Sequence, residues 1–172
     1  MASRGSQDAV LLHGPVSACG AEHRAFDYVI GEWRVVETAS GKDFAENRAE
    51  RIHDGCAVRE NLRTHDGTLG TATSFLHATE KLWHTFYHGS DGFYAHLTGI
   101  TSADGTQELT GDVRLLPEKG RVRKARQVTS KDAAGRPRQV GYVLKEDRTW
   151  QMIYDITFCP ADQPSGERKP PC

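Results

Sequence analysis

From about residue 31 to residue 158 the chain alternates polar and apolar positions with a period of two, interrupted at short intervals by turn residues. Successive side chains on a strand point to opposite faces, so this period predicts strands that each bury one face. Ten segments carry it: "GEWRVVETA" (31–39), "FAENRAERI" (44–52), "CAVRENLRT" (56–64), "GTATSFLH" (70–77), "LWHTFYH" (82–88), "GFYAHLTG" (92–99), "QELTGDV" (107–113), "RVRKARQVT" (121–129), "RQVGYVLK" (138–145) and "TWQMIYDITF" (149–158). The connections between them are short and rich in Gly, Asp and Ser, as in "HDG", "GSDG" and "SADG", which is turn chemistry. Only "AEHRAFDYVI" (21–30) has helical character.

Ten short strands joined in order by tight turns describe an antiparallel meander. An open sheet of that width leaves two long edges, and closure removes them. The expected fold is therefore all-β, an up-and-down barrel of about ten strands with a short N-terminal helix, spanning 23–158. A β-sandwich is the alternative, but it calls for long crossovers, and the connections here are short. The flanks, 1–22 and 159–172, lack periodicity, and the second ("PADQPSGERKPPC" from 160) is rich in Pro and charge. Both are expected to be flexible tails.

Composition narrows the function classes. The chain has 172 residues, enough to bury a core as one domain. Lys and Arg (22) balance Asp and Glu (23), so no net field favours nucleic acid or an anionic membrane. No apolar run is long enough to span a bilayer, and the first residues are too polar for a secretion signal, so a cytoplasmic location is expected. The four cysteines, Cys19, Cys56, Cys159 and Cys172, form no CxxC pair. That spacing suggests neither a zinc site nor a disulfide framework. A free buried Cys56 is favoured over a Cys56–Cys159 bridge.

The densest chemistry lies in "LWHTFYHGSDGFYAHLTG" (82–99), with five aromatic rings and three histidines. A two-residue turn at Ser90-Asp91 places Tyr87 opposite Tyr94, Thr85 opposite His96 and Trp83 opposite Thr98. That face mixes large rings with polar tips, which suits a lumen holding an organic ligand. The other face carries His84, Phe86 and His88; if exposed, it is compatible with a homodimer. His84 and His88 stand roughly 13 Å apart on a strand at about 3.3 Å per residue, so no metal site is expected. A single axial histidine for haem remains open, with His53, His77, His84 and His96 available.

Elsewhere, Glu60 shares a face with Val58 and Leu62, so it points inward, where desolvation raises a carboxyl pKa. Such a group either serves as a general acid or base or braces the barrel against an inward Arg126. On the last strand Trp150, Met152, Tyr154 and Ile156 share one face, which is expected to be the inner one. Trp33, alternating with Val35, is expected to plug one end. Neither a nucleophile with an adjacent base nor a glycine-rich loop leading into a helix occurs, so no cofactor is expected.

Four stretches of the chain resemble a bacterial family known as domain of unknown function 1579, a resemblance that spans about residues 26–158. They are "FDYVIGEW" (26–33), "GCAVRENL" (55–62), "GTATSFLHATEKLW" (70–83) and "YAHLTG" (94–99). The family opens on Phe-Asp-aromatic-x-Ile-Gly-x-Trp, followed by Gly-Cys with a Glu four positions after the Cys. The resemblance implies a calycin-like (lipocalin-like) barrel, a fold whose members bind fatty ligands, carry haem, or act as cyclases and isomerases. The chain departs from the pattern at Ala72 and Ser74, where the family tends to carry Ser and Asn. It departs again at Trp83, Thr85 and Tyr87, in place of Trp-x-Gln-x-Trp. Together these residues predict a barrel around a hydrophobic or aromatic small molecule, leaning towards a cofactor-independent biosynthetic cyclase or isomerase. Glu60, His96 and Tyr87 are its expected catalytic groups. Trp33, Trp83, Thr85, Tyr94, Arg126, Met152 and Tyr154 are its expected ligand contacts. The alternatives are a carrier without chemistry and a haem-binding barrel.

Overall fold

The computed structural model describes residues 19–115, 121–162 and 172. Among them, ten strands close into one barrel: β1 (Gly31–Glu37), β2 (Asp43–Ile52), β3 (Ala57–Thr64), β4 (Leu69–Leu76), β5 (Trp83–Gly89), β6 (Tyr94–Thr101), β7 (Gln107–Leu115), β8 (Arg121–Lys131), β9 (Pro137–Leu144) and β10 (Trp150–Pro160). Every strand pairs antiparallel with its sequence neighbours, and β1 closes on β10 from Trp33↔Pro160 to Glu37↔Ile156. The meander expected from the period-two pattern is thus present. Outward positions carry cross-strand ion pairs such as Arg34–Asp43 at 3.0 Å and Arg59–Glu50 at 2.5 Å.

The stretch expected to be helical forms two 3-10 turns instead, Ala21–Arg24 and Asp27–Val29. Segments this short fall well below the length at which an α-helix sustains itself, and tertiary contacts hold them. Phe26 is 1 % exposed, with its ring 5.8 Å from that of Trp83. The Tyr28 hydroxyl donates to the Thr129 carbonyl at 2.9 Å, and Arg51 pairs with Asp27. Trp33 Nε1 donates to the Val29 carbonyl at 2.8 Å. Residues 20–30 and Trp33 therefore close the rim from which β1 starts. Since each connection reverses the chain, the turns at 38–42, 65–68, 90–92 and 145–149 gather at the opposite rim.

One hairpin design recurs, and it overturns the register expected for the 82–99 segment. Gly89 N donates to Phe93 O (2.9 Å) and Gly92 N to Gly89 O (3.0 Å). The loop thus holds three residues, Ser90, Asp91 and Gly92, with Gly92 at φ 84°. This is a type I turn followed by a left-handed residue, and the same bonding pattern recurs at 64–68, 102–106, 132–136 and 145–149. The extra loop residue moves the pairing by one: Tyr87 faces Ala95, Thr85 faces Leu97 and Phe86 faces His96. A one-residue slip exchanges the faces of a strand. Trp83, Thr85 and Tyr87 therefore point inward as expected, while Tyr94 and His96 point outward.

Two further expectations change. In β10 the pairing shifts between Met152 and Tyr154, leaving Ile153 as an extra bulge residue. Tyr154 and Ile156 face the interior, whereas Trp150 and Met152 are exposed at 41 % and 56 %. In β8 the inward residues are Ala125, Gln127 and Thr129; Arg126 points out and bonds Glu108 at 2.8 Å. All four cysteines are paired, Cys19 with Cys56 and Cys159 with Cys172, so neither the free Cys56 nor the Cys56–Cys159 bridge holds. These bonds tie both expected tails to the barrel at Cys19 and Cys172. The rest of those tails, 1–18 and 163–171, lies outside the described residues.

Candidate functional site

The interior stays open because many inward positions are small. Ala72, Ala95, Ala125 and Gly141 border a cavity of about 340 Å³, within the range of small-molecule pockets. Its walls are largely apolar, including Phe44, Leu62, Phe93, Leu97, Ile156 and Phe158. Into this surface project Asn47, Glu60, Thr85, Tyr87, Gln127, Gln139 and Tyr154. Phe44, Asp91 and Ile153 border it towards the rim opposite the plug.

Glu60 sits on β3 between Val58 and Leu62, on the inward face assigned from alternation. Its carboxylate oxygen accepts a hydrogen bond from Asn47 Nδ2 at 3.2 Å, across the Ala49↔Glu60 and Asn47↔Leu62 pairs. Burial pushes its pKa up, and the Asn47 bond offsets that only in part. The expected brace, Arg126, is not its partner. Asn47 Oδ1 is buried without a hydrogen-bond partner.

Two tyrosines, Tyr154 and Tyr28, feel the charge of this carboxyl, and a third, Tyr87, shares the cavity wall with it. Tyr154 donates to Gln127 Oε1 at 2.9 Å; burial, then the charge of Glu60 and then Tyr87, raise its pKa. Tyr28, in the plug, is raised by burial and then by Glu60 and Asp104. Tyr87 is raised by burial and then by Asp91. All three phenols keep their protons at neutral pH and remain hydrogen-bond donors. Two of them lie on glycines: a Cβ on Gly70 would run into the Tyr87 hydroxyl, and one on Gly141 into the Tyr154 ring. Glycine within a strand often marks such a close approach, and here it leaves room for the Tyr87 hydroxyl and the Tyr154 ring.

The structure therefore brings together Glu60, Thr85, Tyr87 and Tyr154 of the expected site. The Thr85 hydroxyl is hydrogen-bonded to that of Ser74 at 2.7 Å. Trp83 is inward but packs at the plug against Phe26. Trp33 is likewise at the plug, while Arg126 borders the cavity with its guanidinium held by Glu108. Tyr94, His96 and Met152 are outside it. His96 stacks on Phe86 with centroids 4.1 Å apart, and its Nε2 lies 3.3 Å from His84 Nδ1. Among the described residues no histidine lines the cavity, and no group of three or more His, Cys, Asp or Glu is placed to hold a metal ion.

Sequence reasoning missed Asn47, Gln127, Gln139 and the two glycines. The signal for Asn47 was present, since "FAENRAE" sets it two residues from Ala45 and Ala49 on a face of small residues. Chemically, the lumen combines apolar walls, one enclosed carboxyl and several phenol and amide groups. It can orient an organic molecule and exchange a proton with it at Glu60. No protein-family model matches the chain, and no curated protein matches it.

Proposed function

We propose that this protein is a calycin-like barrel, related to the domain of unknown function 1579 family, that encloses a hydrophobic or aromatic small molecule. The observation that carries this reading is the cavity of about 340 Å³ with apolar walls and a few inward polar groups. A barrel built only for stability fills its interior with side chains; here alanines and glycines keep it empty. Glu60 favours an extension of the reading to catalysis. A carboxyl raised by burial and placed within reach of a bound substrate is equipped for proton transfer. Cofactor-independent cyclase or isomerase chemistry fits it, with Tyr87 and Tyr154 as hydrogen-bond donors to developing negative charge. His96, outside the lumen, has no part in this scheme. Haem binding has less support, because among the described residues none lining the cavity offers an axial imidazole.

The charged outer positions suit a surface in water, since a membrane barrel presents an apolar band to lipid. Two disulfides suit an oxidising compartment, which we prefer to the cytoplasmic location expected from the sequence. Native mass spectrometry of freshly purified protein tests the binding reading. A co-purified organic mass supports it and names the chemical class. For catalysis, Glu60→Gln should abolish turnover while leaving the affinity for an uncharged ligand within about tenfold; normal turnover in that variant removes the acid–base role.

A further inference from the structure

The charge inside the barrel is one-sided. Among the described residues lining the cavity the acidic groups are Glu60, deep in the barrel, and Asp91, towards the open rim. The one cationic group among those described residues is Arg126, whose guanidinium bonds Glu108 at 2.8 Å and lies 5.7 Å from the Tyr142 ring centroid. Arg123, nearer the open rim on β8, does not line the cavity. Among the described residues Glu60 therefore has an amide for a partner and no countercharge. Beside it, the buried Asn47 Oδ1 is a second acceptor, and it has no partner. The surrounding walls are ring-rich, with Phe44, Tyr87, Phe93, Tyr154 and Phe158. Aromatic faces carry negative quadrupole charge and attract cations.

Resting on the binding role argued above, we propose that the lumen takes a cationic ligand: an organic amine on a compact aromatic or apolar frame, with its nitrogen at Glu60 and its frame against the rings. The ammonium supplies the charge that Glu60 lacks and can donate to the free Asn47 oxygen. Among the described lining residues a carboxylate ligand meets two acids, and Arg126 is already held by Glu108. The cavity holds the volume of about eleven waters at about 30 Å³ each, which sets the ligand at on the order of ten non-hydrogen atoms.

The test is calorimetric titration of the full chain, disulfides intact and near neutral pH, with three probes of similar shape: phenethylamine, phenethyl alcohol and hydrocinnamate. Phenethylamine should bind at least about tenfold more tightly than the alcohol, and hydrocinnamate most weakly. In Glu60→Gln the amine's advantage should vanish while the alcohol keeps its affinity. If hydrocinnamate binds as tightly as the amine, or the preference survives in Glu60→Gln, the inference is wrong. If the alcohol binds and the amine gains nothing, the inference fails while the lumen stands as a binding site. If none of the three binds, and toluene leaves the side-chain resonances of the lumen unmoved, both fail together.

Discussion

Replacing Glu60 with Gln should stabilise the ligand-free protein, and the gain should grow with pH. Glu60 is enclosed by the barrel, and burial raises its carboxyl pKa in the native state. An unfolded Glu titrates at about 4.3. Between that value and the raised native one, the folded protein holds a proton that the unfolded chain has lost. Stability is then greatest below the unfolded pKa and declines as pH rises through the native one. Each pH unit separating the two corresponds to about 1.4 kcal/mol. In a chain of 172 residues that is a melting-temperature change of roughly 3–5 °C. Gln keeps the shape of the side chain, and its Oε1 still accepts from Asn47 Nδ2, so the substitution isolates the charge.

The assay is a set of melting curves from pH 4 to 8 for both proteins, read as their difference. Asp155, held low chiefly by Arg138, and Asp132, whose Arg136 and backbone bonds outweigh its burial, make both proteins lose stability as pH falls. Those losses cancel in the difference and leave Glu60. The curves should meet near pH 4 and separate upward, with the variant the more stable. Coincident curves at every pH, or a variant less stable at pH 8, would refute the view of Glu60 as a carboxyl without a countercharge.

Three other outcomes are expected. Gly141→Ala should cost about 1–3 kcal/mol in chemical denaturation, because the new methyl displaces the Tyr154 ring, whereas Gly20→Ala, with open space around it, should cost far less. Tyr154→Phe removes the donor to the part-buried Gln127 Oε1, and losing that hydrogen bond should cost about 0.5–1.5 kcal/mol in chemical denaturation; a variant as stable as the wild type would refute this. Thiol titration of the denatured, unreduced protein should find no free cysteine. Removing Cys19–Cys56, with a separation of 37, should cost about 4 kcal/mol, and removing Cys159–Cys172, with a separation of 13, about 3 kcal/mol.

The barrel was legible because period-two alternation is strong wherever one face meets water. In β2 the inward Ala45, Asn47 and Ala49 alternate with exposed Glu46 and Arg48, and strand bounds read from such segments differ from the observed ones by a few residues. Alternation also placed Glu60 inward, since β3 runs without a bulge against both neighbours. It failed where the count of residues changes the phase. The bulge at Ile153 reverses β10 part-way, so Met152 and Tyr154, two apart, no longer share a face. In β8 the expected inward Arg126 has the alternation in the wrong phase, because the small Ala125 occupies the core. The disulfides were invisible, since Cys19 meets Cys56 only after the plug segment folds across the rim.

The hairpin between β5 and β6 shows how much of a site can hang on one turn. "GSDG" reads equally as a two-residue loop and as a three-residue loop ending in Gly92, and the two differ by one position of register. The first puts His96 and Tyr94 in the lumen; the second puts Ala95 and Leu97 there. Replacing two polar rings by two small or aliphatic groups empties the cavity and removes its imidazole. Glu60 then remains the deepest acidic group on the wall. A buried carboxyl facing an amide instead of a cation weakens the empty fold at neutral pH, and a Gln there would hold the same hydrogen bond without that cost. The acid is therefore explained by what it does to an occupant of the lumen, either through its charge or through its proton. Melting curves with and without phenethylamine separate these roles. If charge is the reason, the amine should stabilise the wild type more than Glu60→Gln. Equal stabilisation of both would leave proton transfer as the role of Glu60.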